Sequence, residues 1–208
     1  MRVRSEEKRR EIVTAAAELF VKLGYEHTSM AAISERVGGS KATLYGYFVS
    51  KEDLLRAVLE YDVANEAMLV FGEFPAEGDL REGLTRLGIQ YLTGRLAALP
   101  IANLRTLASL PGQSPLGKEF YDTVLGPAWE VLADHFAALM ESGHLRKADP
   151  WVAAMHWKGL QEGEFLEKRL IGAISHPDPK DVKRVATLAA DAFLRIYASG
   201  QAESEPTS

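Results

Sequence analysis

The chain has 208 residues, 47% of them hydrophobic and 25% charged, enough to bury a sizeable core in one or two domains. It contains no cysteine, which excludes a disulfide framework and any thiolate metal site and fits an intracellular setting. The formal net charge of −5 is unevenly shared: residues 1–52 hold 9 Lys+Arg against 7 Asp+Glu, and the remainder hold 15 against 22, a basic head on an acidic body.

The opening M-R-V-R-S-E-E-K-R-R is charged and has no apolar signal core. No later stretch approaches the ~20 apolar residues of a membrane helix. The expectation is a soluble, cytoplasmic protein with no membrane partner. The basic cluster Arg2, Arg4, Lys8, Arg9 and Arg10 reads either as a DNA-contacting arm or as the solvated start of a first helix, which runs from Arg9 to Gly24. Between Thr28 and Lys51 two short helical patterns are hinged at Gly38 and Gly39. Ile33 and Val37 form one i, i+4 stripe and Leu44 and Phe48 another beyond the turn. The stripes can close on each other only if the helices cross, which a short glycine-containing turn allows. Gly38 sits where the first of the pair must end in a left-handed residue, and Ser34 is small enough for the backbones to approach. The second helix of the pair, Lys41 to Tyr47, then shows solvent Lys41, Ala42, Thr43, Tyr45, Gly46 and Tyr47, the face of a DNA-reading helix-turn-helix.

Everything beyond this head reads as helix, with no alternating strand pattern. Ser50, with Asp53 three residues on, caps a fourth helix to about Phe71 that buries Leu54 or Leu55, Val58, Leu59, Met68 and Leu69. A loop at Phe74–Gly78 leads to a fifth helix from about Asp79 to Ala98, which Pro100 ends, and Asn103 to Leu110 forms a sixth. After a Pro111–Pro115 loop, a seventh runs from Leu116 to Ser142, burying Phe120, Val124, Leu132, Phe136 and Met140, with a kink or split at Gly126-Pro127. Asp149 caps an eighth helix from Pro150 to about Gly172. A ninth runs from Asp181 to about Ser199, with Val182, Val185, Ala186, Ala189, Phe193, Ile196 and Tyr197 on one face. The tail from Gly200 is polar and expected to be disordered.

The segment S-K-A-T-L-Y-G-Y-F-V-S-K-E-D-L-L (Ser40–Leu55) resembles the recognition helix and following helix of the TetR family of bacterial repressors. R-R-E-I-V-T-A-A-A-E-L-F-V-K-L-G (Arg9–Gly24) is similar to that family's opening helix, and Y-E-H-T-S-M to the link after it. Gly39 departs from the family's usual valine, and Gly46 stands where many members carry a larger, base-reading side chain. More softly, F-Y-D-T-V-L-G-P-A-W-E-V-L-A-D-H-F and A-D-P-W-V-A-A-M-H-W-K-G-L resemble the ligand-binding domain of the AefR-like branch, whose members often control efflux or membrane-related genes. The resemblance implies an all-α fold: a helix-turn-helix domain over 1–52, and a larger ligand-binding and dimerisation domain over 53–199, ahead of the tail at 200–208. It implies phosphate contacts by Thr28, Ser29, Lys41, Tyr47 and Lys51, with Ala42, Thr43, Tyr45 and Gly46 facing the major groove of a palindromic double-stranded operator. Tyr45 has packing as its alternative role.

So small a reading head binds poorly alone, so a homodimer is expected. The resemblance places its interface on the last two helices, at Gly159, Gly163, Phe165, Leu166, Phe193, Ile196 and Tyr197, together with Trp157, with service in the intrachain core alone as the competing role. A small hydrophobic or amphipathic effector would enter between the fourth to eighth helices. Tyr61, Asn65, Met68, Phe120, Phe136, Trp157 and Gln161 are candidates because they mix aromatic bodies with a few polar ends. Core packing is the competing role for each. Enzyme signals are weak: Gly112–Gly117 is G-x-S-x-x-G with no strand before it. S-E-R-V-G-G-S-K-A-T does not meet the phosphate-loop pattern. The five histidines, His27, His135, His144, His156 and His176, form no metal-suited pair. Glu162, Glu164 and Glu167 offer carboxylates for acid–base work or, more simply, for pairing with Lys168 and Arg169. The expected function is a DNA-binding regulator, a repressor without cofactor. The rivals are the same fold answering to a protein partner or to no ligand, and an all-α enzyme.

Overall fold

The computed structural model describes residues 5–72, 79–110 and 114–199, with side chains undescribed at 62–70. Its helices are α1 (Glu6–Leu23), α2 (Met30–Val37), α3 (Lys41–Tyr47), α4 (Lys51–Gly72), α5 (Leu80–Arg95), α6 (Ala98–Ser109), α7 (Pro115–Phe120), α8 (Gly126–Glu141), α9 (Pro150–Glu162), α10 (Leu166–Leu170) and α11 (Pro179–Tyr197). No described helix is long and apolar enough to cross a membrane. Contacts divide the chain into one unit of Met1–Glu66 with Ala97–Leu125 and a second of Ala67–Leu96 with Gly126–Ser208. That division differs from a boundary at residue 52, because the core of the head continues into α4 and α7.

In the first unit Ile12, Val13, Ala16 and Phe20 of α1, Ile33 of α2, Leu44 and Phe48 around α3, and Leu54, Leu55, Val58 and Leu59 of α4 make one apolar cluster with Leu116 and Phe120 of α7. Both leucines at 54 and 55 are fully buried. Burying side chains of this size contributes roughly 1.5–3 kcal/mol each, so α2 and α3, 8 and 7 residues long and too short to persist alone, are held by packing. In the second unit α5 packs on α11, and α9 packs on α8 and α11. Val182, Val185, Ala186, Ala189, Phe193 and Tyr197 form the buried stripe of α11, whereas Ile196, in its last turn, is 43% exposed and not buried with them. Gly88 lets α5 approach closely: a Cβ there would lie 3.0 Å from the Ala186 Cβ.

Four boundaries depart from the sequence expectation. The fifth helix stops at Arg95, where the buried Arg169 donates to the carbonyl of its C-cap, Leu96, through Nε (3.0 Å) and Nη2 (2.9 Å). Pro100 lies in the first turn of α6 rather than ending α5. This is allowed because first-turn N–H groups have no intrahelical acceptor. The expected break at Gly126-Pro127 occurs as a π-helical turn, Tyr121–Leu125, ahead of α8; Pro127 offers no N–H to a regular ladder there. The expected helix from Pro150 to Gly172 is two, α9 and α10, separated by a turn at Gly163–Phe165 that buries Phe165. Val124 is half-buried rather than core. The C-terminus of α11 is closed by a feature absent from the expectation: Arg146 donates its N–H to the Tyr197 carbonyl (2.8 Å) and its Nε to the Ile196 carbonyl (2.6 Å). The loop at 73–78, the sequence around Gly112, Met68, Leu69 and the tail from Gly200 lie outside the described residues or side chains.

Candidate functional site

Each helix of the head starts on a serine. Ser29 Oγ accepts the Ala32 N–H (3.1 Å), Ser40 Oγ the Thr43 N–H (3.0 Å) and Ser50 Oγ the Asp53 N–H (3.0 Å). Asp53 Oδ2 reaches back to accept the Val49 N–H (3.1 Å), one residue before the N-cap, so the capping box expected at α4 is approximate. The turn between α2 and α3 is fixed by Gly38, which is left-handed with φ 67°. The buried Ser34 donates its hydroxyl to the Gly39 carbonyl (2.8 Å). A side chain at Gly39 would meet open space, so the lack of the family's valine leaves a small gap and no strain.

This frame buries Leu44 and Phe48 and leaves Lys41, Ala42, Thr43 and Tyr45 exposed on one face of α3, Tyr45 by 49%. Gly46 and Tyr47 are half-buried at its edge. A Cβ at Gly46 would meet nothing within 4 Å, so the position has room for a reading side chain and lacks one. The Tyr47 hydroxyl accepts the Ser5 N–H (3.1 Å), tying the start of α1 to the end of α3, and keeps its own hydrogen to donate. Of the basic N-terminal cluster, Lys8 donates to Glu11 (2.8 Å) and to the Val37 carbonyl (3.4 Å), and Arg9 lies 5.3 Å from the Phe48 ring centre. Arg2 and Arg4 lie outside the described residues.

One expected phosphate contact is corrected and a second is narrowed. Thr28 is 1% exposed; its hydroxyl donates to the carbonyls of Gly24 (2.8 Å) and Leu19 (3.3 Å), and its N–H to that of Tyr25 (3.2 Å). The residue therefore closes the end of α1 and has nothing to offer a phosphate. Lys51 is not a free cation either: Nζ donates to the Tyr25 carbonyl (2.9 Å) and the Glu26 carbonyl (3.4 Å) and lies 4.2 Å from the Tyr25 ring centre. Only its third N–H remains for an outside partner. Ser29 is exposed, with its oxygen engaged in the cap.

Residues 12–58 match the TetR-type regulatory family described as "Bacterial regulatory proteins, tetR family", and residues 82–199 match the AefR-like transcriptional repressor C-terminal domain. The chain belongs to the TetR family. Among the curated relatives of this TetR-family chain, the transcriptional activator FasR of Mycolicibacterium smegmatis is 42% identical over 64 residues, 31% of this chain and 29% of that protein. The transcriptional regulator TcmR of Streptomyces glaucescens is 33% identical over 113 residues, 50% of this chain and 49% of that one. The chain thus aligns with less than half the length of these relatives. A TetR-family transcriptional regulator from Mesorhizobium loti shares the fold with a TM-score of 0.86 at 25% identity, over 95% of this chain and 100% of that one. The flavonoid-responsive regulator FrrA matches with a TM-score of 0.69 at 26% identity, over 94% and 100%.

The residues expected at a TetR-family dimer face divide in two. Phe165, Phe193 and Tyr197 are 5%, 0% and 2% exposed within the single chain: they are core and cannot meet a partner as placed. Trp157 is likewise buried. Gly159, Gly163 and Ile196 are exposed and Leu166 is half-buried. Periodicity missed Val152 of α9 and Leu188 of α11, exposed by 41% and 57%. Leu188 and Ile196 are eight residues apart on α11, both exposed beside its core stripe.

The effector candidates also divide. Phe120 belongs to the first unit's core, while Tyr61 is 41% exposed. Asn65 and Met68 lie outside the described side chains. Phe136, Trp157 and Gln161 are fully buried in the second unit. Phe136 stacks on Phe193 with ring centres 4.8 Å apart, whereas Trp157 joins Phe71, Tyr91 and Trp129 in an aromatic cluster with centres 5.3–6.2 Å apart. Beside that cluster Glu162, expected to pair with Lys168 or Arg169, has other partners. The carboxylate of Glu162, 7% exposed, accepts from the Tyr91 hydroxyl (2.5 Å), Arg95 Nε (3.0 Å) and Lys158 Nζ (2.5 Å). Burial alone would raise its pKa; Arg95, then the hydrogen bonds from Lys158 and Tyr91, overcome that and hold it below the ordinary value. Burial, with Glu162 beside it, pushes the Tyr91 phenol well up, so it stays a donor. Glu164 pairs with Arg184 (2.7 Å) rather than with Lys168 or Arg169.

Proposed function

We propose that the chain is a dimeric DNA-binding transcriptional regulator, a repressor that leaves a palindromic operator when a small hydrophobic or amphipathic molecule binds its second unit. The observation that carries this reading is the face of α3, polar and exposed above a fully buried Leu44 and Phe48. In this reading α3 enters the major groove. Ala42 and the Thr43 methyl meet thymine methyls, and Tyr45 packs or hydrogen-bonds at base edges. Lys41 and the Tyr47 hydroxyl hold phosphates at either end of α3, joined by Ser29 at the start of α2 and by the one free N–H of Lys51. With a head carrying only a small positive balance, affinity for arbitrary DNA is modest and most binding comes from pairing two heads.

Dimerisation supplies that pairing. Val152 and Gly159 of α9, Gly163 just after it, and Leu188 and Ile196 of α11 form its surface, so that the heads reach half-sites about one helical turn, 34–36 Å, apart. An effector acts only if it binds one arrangement of the two heads better than the other. A response to a small molecule is supported by FrrA, which is flavonoid-responsive. The relatives include both an activator and a repressor, and repression is proposed here because the AefR-like repressor domain matches over 82–199. The test is selection from a random DNA pool by the purified chain at near-physiological salt. Enrichment of a palindrome with half-sites one turn apart supports the reading, and failure to enrich any site refutes it.

A further inference from the structure

Among the described residues, helix α9 carries three buried side-chain polar atoms without a hydrogen-bond partner. Gln161 is 0% exposed, and among the described residues neither its amide oxygen nor its amide nitrogen has a hydrogen-bond partner. The same holds for the indole Nε1 of Trp157, one turn earlier on α9 and also 0% exposed. Such atoms are costly to bury, and a leucine at 161 would avoid the penalty. A second cost falls at the same place. Gly88 interrupts α5, where alanine would favour the helix, and its missing Cβ makes room for the amide: a Cβ there would lie 2.7 Å from Gln161 Nε2 and 2.8 Å from Oε1. Two locally unfavourable residues that meet on one amide mark a position kept for something other than stability.

The surroundings restrict what that something is. Tyr91, Trp129 and Phe71 bring flat apolar faces around Trp157. The adjoining charges are two cations, Arg95 and Lys158, around one carboxylate, Glu162. Lys158 Nζ already lies 5.7 Å from the Trp129 ring centre, so the place a ligand cation would take on that ring is filled. A purely apolar guest would leave the amide and indole unpaired. We propose that Gln161 and Trp157 read the effector, and that the effector is an uncharged or anionic aromatic molecule bearing both a hydrogen-bond acceptor and a donor. The acceptor takes the N–H of Trp157 or of the Gln161 amide, and the donor is held by Gln161 Oε1. This rests on the effector-controlled reading above and specifies the chemistry of its ligand.

The test uses the full chain without DNA and calorimetry with three probes of similar size at millimolar concentration: 4-hydroxyacetophenone, benzyltrimethylammonium and toluene. 4-Hydroxyacetophenone binds at least tenfold more tightly than the other two. Gln161→Leu weakens that binding at least tenfold while raising the urea unfolding midpoint, two changes of opposite sense that a purely structural glutamine would not produce. Trp157→Phe, which removes the indole N–H and keeps an aromatic ring, also weakens it. Equal or tighter binding of toluene or the cation, binding of none of the three, or an unchanged affinity in Gln161→Leu overturns the proposal. The wild-type ranking decides even where a variant fails to fold. No DNA is present, so a failure of operator binding would refute the regulatory reading and leave this ranking standing.

Discussion

Replacing Glu162 by glutamine removes a charge from the second unit while leaving its shape nearly unchanged. In the native chain this carboxylate, with its side chain 8% exposed, faces Arg95 at 3.0 Å and Lys158 at 2.5 Å, whose side chains are 16% and 30% exposed. Breaking a buried ion pair from one side costs about 3–5 kcal/mol, because the remaining charge stays buried without its counter-ion. Lys158 retains enough exposure to regain water and Arg95 a little, and glutamine still accepts the Tyr91 hydrogen bond, so the expected loss is about 2–3 kcal/mol. Urea unfolding at pH 7 and fixed protein concentration measures it as a lower midpoint with an unchanged slope. Acid supplies the second check. Because the folded carboxylate titrates below its ordinary value of 4.5, its contribution is complete above that value and fades as the pH falls through the lower, folded one. The difference between wild type and Glu162→Gln therefore shrinks over that range. A difference below about 0.5 kcal/mol at pH 7, typical of an exposed pair, or one that persists undiminished in acid, would refute the assignment.

Lys51→Ala lowers both the thermal midpoint and the operator affinity, because the lysine clamps the carbonyls of Tyr25 and Glu26 and keeps one N–H for a phosphate. The slope of log affinity against log salt falls by about 1; an unchanged slope removes the phosphate role, and an unchanged midpoint removes the clamp. Gly88→Ala destabilises by about 1–2 kcal/mol in urea, since overpacking against Gln161 and Ala186 outweighs the gain in helix propensity. A rise in stability would show that the amide moves away freely. Leu188→Glu combined with Ile196→Glu yields a folded monomer by sedimentation and circular dichroism, because both side chains are exposed in the single chain and lie on the proposed interface. A dimer of undiminished stability would move the interface elsewhere.

The head was legible in the sequence because its determinants are local. A left-handed glycine, serine caps and two i, i+4 stripes lie within a few residues of one another, and Gly38, Ser40, Ser50, Leu44 and Phe48 take the places those patterns require. The main-chain bonds of Thr28 and Lys51 escape a local reading for the opposite reason. Their partners are main-chain carbonyls of Leu19, Gly24, Tyr25 and Glu26, and a residue type carries no mark of a carbonyl brought near by folding. The α11 stripe was visible as a period, yet periodicity does not say whether a face meets its own chain or a second copy. Phe193 and Tyr197 face inward, and Leu188 and Ile196 remain outside. The Glu162 cluster was invisible as such: Arg95 and Tyr91 are 67 and 71 residues away along the chain. Only the i, i+4 pair with Lys158 could have pointed to it.

The central claim is that the exposed face of α3 reads DNA sequence, and Tyr45→Ala tests it most directly. The affinity of wild type and variant is measured at one stated salt concentration, for the best site selected by the wild type and for a scrambled duplex of equal length. Tyr45 is 49% exposed, so its removal leaves the fold intact. The account predicts an unchanged affinity for the scrambled duplex and a preference for the selected site reduced about 5- to 150-fold, the equivalent of one base contact worth about 1–3 kcal/mol. An unchanged preference would contradict it and take α3 out of the groove.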